Sequence, residues 1–199
     1  MQIKKFVIGM IENNDYLVWD ENTNAAALID ATDNKQEIVD EVIKLGLNLQ
    51  YIILTHGHFD HTTGTKFYQN AFPKAKLVAC KKEAKMLFER ALSHGPGGIV
   101  ADIWIKDNDE LELGDITLKF IETPGHSKGG MCILAEDVLF SGDTLFQCSV
   151  GRTDLPTGDG EELMQSLNKL FALPDDTRVL PGHGAETSIG FEKRYNPFV

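Results

Sequence analysis

The sequence has few cysteines and no pairing pattern among them. Three cysteines occur in 199 residues, at Cys80, Cys132 and Cys148, and no two of them form a C-x-x-C pair. An odd number without that spacing argues against a disulfide framework and against a zinc site built from thiolates. We interpret all three as reduced thiols, and Cys148 as a small apolar residue that fills the interior.

Basic side chains and long apolar runs are also scarce. Lys and Arg number 19 against 30 Asp and Glu, which gives a formal net charge of -11. Because this charge repels phosphate backbones and anionic surfaces, neither nucleic acid nor a membrane is an expected partner. No apolar stretch reaches the roughly 20 residues that span a bilayer, and no cleavable signal peptide is visible at the N-terminus. We therefore expect a cytoplasmic protein.

Length and apolar content predict one domain over residues 1–199, with 42% hydrophobic residues available for its core. Hydrophobic patterning predicts strands at 2–9, 15–19, 25–31, 51–54, 76–79, 110–113, 115–122, 131–135, 137–141 and 177–180, with a polar turn at 13–15. Helices are predicted over about 33–45, 60–70, 84–91 and 159–171. Two blocks of strands, each accompanied by helices, favour an α/β fold with two sheets packed face to face and helices outside.

Two aspartates are predicted helix N-caps. Asp33 precedes an apolar stripe that ends at Gly46, and Asp159 is followed three residues later by Glu162. In the helix predicted over 84–91, the stripe that includes Phe88 is expected to be buried.

Five of the six histidines lie in short motifs that follow predicted strands. The motifs are THGHFDH at 55–61, TPGH at 123–126 and LPGH at 180–183, and an aspartate ends the similar segment FSGD at 140–143. Residues two apart in an extended segment project to the same side, so His56, His58 and Asp60 are expected to converge on one region. The candidate metal ligands are His56, His58, Asp60, His61, His126, Asp143 and His183.

These ligand types predict the kind of metal. Imidazole and carboxylate without thiolate suit Zn, Fe, Mn or Co, and seven ligands exceed the four of one tetrahedral zinc. Two divalent ions are therefore predicted, with zinc as the first choice and iron or manganese as alternatives. His94 lies outside every motif, in a glycine-rich loop at 93–98 that is either a substrate lid or a surface loop without function. We interpret His94 as an ordinary histidine that binds no metal.

The motifs resemble the full ligand set of the metallo-β-lactamase superfamily, and the likeness spans nearly the whole chain. The resemblance implies a four-layer αβ/βα sandwich of two mixed sheets flanked by helices. It also implies that His56, His58 and His126 bind one metal, that Asp60, His61 and His183 bind the second, and that Asp143 bridges them. True β-lactamases of this type lack an equivalent of His61 and place a metal-binding cysteine elsewhere than Cys148. Antibiotic hydrolysis is therefore not expected.

Within that superfamily, the segment SVGRTDLP at 149–156 and the closing Asn-Pro-Phe at 196–198 are similar to glyoxalase II-like thioester hydrolases, the hydroxyacylglutathione hydrolases. The implied reaction is hydrolysis of a small-molecule thioester by a hydroxide that bridges two metals, with Asp60 and Asp143 as catalytic carboxylates. Glyoxalase II enzymes continue into a helical domain that helps to bind glutathione, whereas this sequence ends soon after His183, which leaves the thiol carrier open. Arg152 and Asp154 are either substrate-orienting residues or a surface ion pair.

The sequence is also similar to persulfide dioxygenases, which are oxidoreductases with the same motifs. They use a single iron held by two histidines and one carboxylate, which here would be His56, His126 and Asp143. Metal content separates this hypothesis from the hydrolase, because the hydrolase needs two ions per chain. A metal-binding module without catalytic activity is the third alternative.

Overall fold

The computed structural model describes all residues from Met1 to Val199, arranged as two six-stranded sheets with helices on their outer faces. The strands are β1 (Gln2–Ile8), β2 (Asn13–Trp19), β3 (Ala25–Ile29), β4 (Asn48–Leu54), β5 (Lys76–Cys80), β6 (Ile103–Ile105), β7 (Glu110–Leu113), β8 (Ile116–Glu122), β9 (Met131–Ala135), β10 (Val138–Gly142), β11 (Leu145–Phe146), β12 (Ser149–Val150), β13 (Arg178–Pro181) and β14 (Thr187–Ser188). The helices are α1 (Gln36–Lys44), α2 (Phe59–Thr62), α3 (Thr65–Ala71), α4 (Ala84–Phe88), α5 (Arg90–Ser93), α6 (Gly160–Leu170) and α7 (Ile189–Tyr195).

Both large sheets are mixed. The first has the order β1-β2-β3-β4-β5-β6, antiparallel from β1 to β3 and parallel from β3 to β6. The second has the order β14-β13-β10-β9-β8-β7, in which only β10 and β13 pair in parallel. The predicted four-layer αβ/βα sandwich is therefore confirmed.

Three apolar clusters hold these layers together. One lies between the sheets and joins residues such as Ile53 of β4 to Phe120 of β8. A second packs Ile38 of α1 on the outer face of the first sheet, and a third packs Leu167 of α6 on the outer face of the second. Each side chain of this kind contributes roughly 1.5–3 kcal/mol when it is fully buried. The layers are thus fixed from both sides, which makes the strand ends a rigid platform.

One of the two predicted helix caps is confirmed. Asp159 accepts hydrogen bonds from the backbone N–H groups of Glu161 and Glu162, at 2.8 and 3.0 Å, directly before α6. The prediction that Asp33 is an N-cap is wrong, since α1 begins at Gln36 after an extended Lys35. The backbone of Asp33 serves another contact instead, because its carbonyl accepts a hydrogen bond from the Tyr68 hydroxyl of α3.

The helices predicted over 60–70 and 84–91 are each divided in two. Gly64 separates α2 from α3, where its N–H donates to the Ala31 carbonyl and a Cβ would lie 2.5 Å from the backbone oxygen of Asp33. Glu89 is extended between α4 and α5, which turns the chain there. Consequently Phe88 is 62% exposed, and the prediction that it is buried was wrong.

The polar segment 13–15 is not a turn but the buried start of β2. The sequence patterns also failed to predict the short strands β6, β11, β12 and β14, and the last helix, α7. None of the helices combines the length and apolar character that a membrane crossing requires.

Candidate metal centre

The seven predicted ligands meet at one edge of the sandwich, where four strands end. His56 and His58 follow β4, His126 follows β8, Asp143 follows β10 and His183 follows β13. Asp60 and His61 lie in α2, the single helical turn that follows His58. The residues at 59–62 are therefore helical, and the expectation that Asp60 converges with His56 and His58 through an extended run was wrong.

Three imidazoles form the first triad, which consists of His56, His58 and His126. Their candidate donor nitrogens all lie within 4.8 Å of one another. Nδ1 of His58 and Nε2 of His126 are 2.9 Å apart. The far side of the His126 ring is held by the backbone carbonyl of Arg152, 2.8 Å from Nδ1, and Thr55 Oγ1 lies 3.1 Å from Nδ1 of His56.

Burial keeps two members of the first triad, His56 and His58, uncharged. It lowers the pKa of His56 well below its ordinary value, and the neighbouring His61 lowers it further. Burial, followed by the proximity of His126, lowers the pKa of His58 to about 4. Neutral imidazoles carry a free lone pair, which is the form that binds a metal cation.

The second triad consists of Asp60, His61 and His183, whose donor atoms also lie within 4.8 Å of one another. Nε2 of His61 and Nε2 of His183 are 3.6 and 3.4 Å from Oδ2 of Asp60. The opposite nitrogens are anchored, since His61 Nδ1 lies 2.8 Å from Asp30 Oδ2 and His183 Nδ1 lies 3.0 Å from the Ile11 carbonyl. Such contacts orient a histidine so that its other nitrogen faces the ion.

Carboxylates dominate the electrostatics of the second triad. Burial lowers the pKa of His183, but hydrogen bonds to Asp143 and Asp60 outweigh burial and raise it to about 9. Burial likewise lowers the pKa of His61, and the charges of Asp143 and Asp30 raise it well above its ordinary value. Burial raises the pKa of Asp60, yet the hydrogen bond with His183 and the charge of His61 lower it to about 2.

Asp143 lies between the two triads. Its carboxylate oxygens are 3.4 Å from His61 Nε2, 3.5 Å from His126 Nε2 and 3.5 Å from His183 Nε2. Burial raises the pKa of this carboxyl, but the charge of His61 and the hydrogen bond with His183 outweigh burial and hold it well below the usual range. The residue predicted to bridge two ions is thus placed where it reaches both donor groups.

Buried polar atoms without partners test whether this donor set fits metal. Nε2 of His56, Nε2 of His58 and Oδ1 of Asp143 are buried and have no hydrogen-bond partner. Such atoms are rare, because leaving one unsatisfied costs about 1–3 kcal/mol. Convergent imidazole nitrogens and carboxylate oxygens are ligands of divalent cations. The residues present therefore fit a metal centre, although ligation by the seven residues stays a prediction.

The triads open into a cavity of about 280 Å³. Ile11, Phe59, His94, Arg152 and Leu155 contribute to its walls, and five of the predicted ligands line it as well. His94 reaches the cavity wall and belongs to neither triad, and its interpretation as a histidine that binds no metal stays a prediction.

Arg152 and Asp154 form an exposed bidentate ion pair, with N···O distances of 2.6 and 2.7 Å. Arg152 also reaches the cavity wall. Both interpretations of this pair therefore remain open. Cys148 is exposed, and the interpretation of it as a buried apolar filler was wrong, because its turn has a positive φ of 53° and its N–H faces Glu192.

Two residues that contact the ligands were not identified from the sequence. Asp30 holds His61, and Nδ2 of Asn13 lies 3.1 Å from Asp60 Oδ2 and 3.2 Å from His61 Nε2. Asp30 directly follows β3, which ends at Ile29, but the strand predicted over 25–31 included it, so the strand-end rule that identified Asp143 did not. Asn13 carried no such signal, because its polar neighbours resembled a turn.

Comparison with known proteins agrees with this geometry. The family description that matches the chain, over residues 9–183, is that of the metallo-β-lactamase superfamily. A hydroxyacylglutathione hydrolase named GloC from Haemophilus influenzae is 35% identical over all of this chain and 98% of its own. The crystal structure of the B3 metallo-β-lactamase BLEG-1 matches with a TM-score of 0.92 and 33% identity over 99% of both chains. That of ETHE1 from Myxococcus xanthus matches with a TM-score of 0.87 and 31% identity, over 99% of this chain and 84% of its own.

Proposed function

The chain belongs to the metallo-β-lactamase superfamily, and from this premise we propose that it is a dinuclear metal-dependent hydrolase that cleaves small-molecule thioesters. One observation carries the proposal above all. Two complete donor triads share one carboxylate, Asp143, which lies within 3.5 Å of nitrogens in both. Two triads with a common carboxylate match a two-ion site better than a one-ion site.

The metal ligands in this proposal are His56, His58 and His126 for the first ion, Asp60, His61 and His183 for the second, and Asp143 for both. Ions bound there would polarise an acyl carbonyl and lower the pKa of water toward about 7. Zinc is the first ion to test, with iron and manganese as alternatives, because imidazole and carboxylate suit all three.

The chain's own residues supply position. Ile11, Phe59 and Leu155 provide apolar surface on the cavity wall, against which an acyl group could pack. In this proposal Asp60 holds the second ion and orients the proton of the attacking water.

Thioester chemistry suits this site because a thiolate departs without a proton, its conjugate acid having a pKa of about 8.5. The likeness to GloC supports a hydroxyacyl thioester, since that relative is named for hydroxyacylglutathione hydrolysis. Arg152, at the cavity wall, is proposed to orient the substrate, with Asp154 holding its guanidinium.

A second candidate function is persulfide oxidation at a single iron held by His56, His126 and Asp143. The likeness to ETHE1 favours it, at 31% identity, and His126 Nε2 lies 3.5 Å from Asp143 Oδ2. It leaves the complete second triad without a ligand role, which is why we prefer the hydrolase.

Metal content and turnover, measured on the same preparation, test the proposal. The protein is purified without chelator, its metal per chain is determined, and it is supplied with a hydroxyacylglutathione thioester. Two equivalents of metal together with thiol release support the hydrolase. One equivalent of iron, with oxygen consumption on addition of a thiol persulfide and no thioester cleavage, would overturn it.

A further inference from the structure

His94 lies on the wall of the cavity although it belongs to no motif and to neither triad. It is an exposed side chain that lines the same 280 Å³ space as Asp60, His126 and His183. A polar group at this position can meet the part of a substrate that extends beyond the metal ligands.

The backbone that carries His94 forms a hydrogen-bonded turn. His94 ends α5 in the left-handed conformation, with φ 56° and ψ 13°, and its N–H donates to the Arg90 carbonyl at 3.0 Å. The buried Ser93 accepts a hydrogen bond from the Gly95 N–H through Oγ, also at 3.0 Å. Two adjacent hydrogen bonds therefore fix the backbone position from which the imidazole extends.

This turn packs against the helix that carries two of the predicted ligands. A Cβ on Gly95 would lie 3.1 Å from Cα of Phe59, a tight contact, so glycine favours this close approach. Phe59 immediately precedes Asp60 in α2. The position of His94 is thus coupled to the second triad by direct backbone packing.

The charges around the cavity indicate what His94 would bind. The chain has a net charge of -11, which repels anions, and two of the predicted ligands in the cavity wall, Asp60 and Asp143, are acidic. Outside the predicted ligands, however, the two polar side chains that line the cavity, His94 and Arg152, are both basic. Arg152 is already paired with Asp154 through two hydrogen bonds. The His94 ring has no hydrogen-bond or ion-pair partner within the chain, so its N–H is free to donate.

We propose that His94 binds the substrate by donating a hydrogen bond to a carboxylate carried by the thiol half of the thioester. This deepens the proposed hydrolase function and rests on it. Binding, not proton transfer, is the role that follows, because a thiolate leaves without a proton. A neutral or a charged imidazole can donate in this way, and hydrogen bonds to carboxylates are stronger than neutral ones.

The test compares two probes that differ only in the carboxylate, 3-mercaptopropionate and its methyl ester. Both offer a thiolate to the metals, and the change in their affinity difference between the unmutated chain and the His94 variants isolates the contact of the carboxylate with His94. Calorimetry on the metal-containing protein would follow binding to the unmutated chain, to His94→Gly, which tolerates φ 56°, and to His94→Gln, which keeps an N–H. Lys74→Gln, which removes an exposed cation away from the cavity, is the matched control.

We expect His94→Gly to bind 3-mercaptopropionate about 10-fold or more weakly, and the methyl ester within about twofold of the unmutated protein. His94→Gln should recover most of the lost affinity, and Lys74→Gln should match the unmutated protein. Equal losses for both probes, no loss for either, or no preference of the unmutated protein for the acid would overturn the inference.

Binding needs no turnover, so this result is independent of the hydrolase test. A chain that prefers the acid through His94 but cleaves no thioester would refute the proposed function and keep the contact. A thioester hydrolase without that preference would keep the function and refute the contact. In an active hydrolase, His94→Gly should raise KM for a carboxylate-bearing thioester and leave kcat nearly unchanged.

Discussion

The two triads hold similar atoms in different ways. His56, His58 and His126 are 2%, 4% and 5% exposed, and burial sets the neutral state of His56 and His58. The second triad includes Asp60, and the His183 side chain is 25% exposed, so charge pairing sets its state. Packing thus sets the protonation states in the first triad and electrostatics sets those in the second, although the ends of the same two sheets carry both triads.

The buried acids behind the triads differ in the same way. Glu83 accepts a hydrogen bond from the Gly129 N–H at 2.6 Å, and a Cβ on Gly57 would lie 2.7 Å from its Oε2. It therefore joins the backbone of the His56–His58 loop to the loop that follows His126. Asp30 instead contacts a ligand directly, 2.8 Å from His61 Nδ1. One acid positions loops, and the other positions an imidazole.

Replacing the shared carboxylate should weaken metal binding at both triads. Asp143→Ala removes an acceptor from both groups and leaves two cations without the charge between them, so we expect loss of both ions and a fall in thioester turnover of about 10³-fold or more. Metal per chain, determined by mass spectrometry after desalting, checks this. His94→Gly should keep its metal in the same experiment, and similar metal content in the two variants would contradict the assigned site.

Removing one partly exposed ligand should weaken metal binding at the second triad alone. His183→Ala leaves the first triad intact, so metal content should fall from two ions toward one, with turnover lowered by about 10²-fold. A mononuclear dioxygenase would show the same single iron before and after, with a loss of activity of about 10 to 100-fold. Since the rates overlap, metal stoichiometry on the same variant distinguishes the two functions.

The residues of the triads could be predicted from the sequence, whereas their supports could not. Strand-end motifs such as TPGH identify His126 because glycine and histidine types signal a close turn with a ligand. Glu83 and Asn13 act through contacts between segments 45 or more residues apart, which no local pattern records. The sheets were predictable because apolar alternation is local, but the break at Gly64 depends on the approach of distant backbone at Asp33.

A paired substitution tests whether the two buried acids act differently. Asp30→Asn weakens the hydrogen bond that orients His61, and we expect the affinity for the second ion to fall about 10 to 100-fold. Glu83→Gln keeps an acceptor for Gly129 and touches no ligand, so metal affinity should change by about threefold at most. Competitive metal titration of both variants measures this, and equal losses would show that the acids share one role.

The smallest expected effect on activity comes from Asp15, a buried acid on the side of the second triad, whose carboxylate accepts hydrogen bonds from the N–H and hydroxyl of Thr32. Burial raises its pKa from about 3.8 to about 7. A carboxyl with a raised pKa binds its proton more tightly in the folded chain, so its contribution to stability falls as pH rises from about 4 to about 7.

Asp15→Asn cannot ionise and keeps an acceptor for Thr32. The stability of this variant relative to the unmutated protein should therefore increase by about 1.4 kcal/mol per pH unit up to about pH 7, which amounts to roughly 3 kcal/mol between pH 5 and pH 8. Urea unfolding at pH 5 and pH 8 measures the difference, in which contributions of metal common to both proteins cancel. A difference that is the same at both pH values would mean that Asp15 is ionised throughout. The electrostatic effect of the second triad on the pKa of Asp15 would then outweigh the effect of burial.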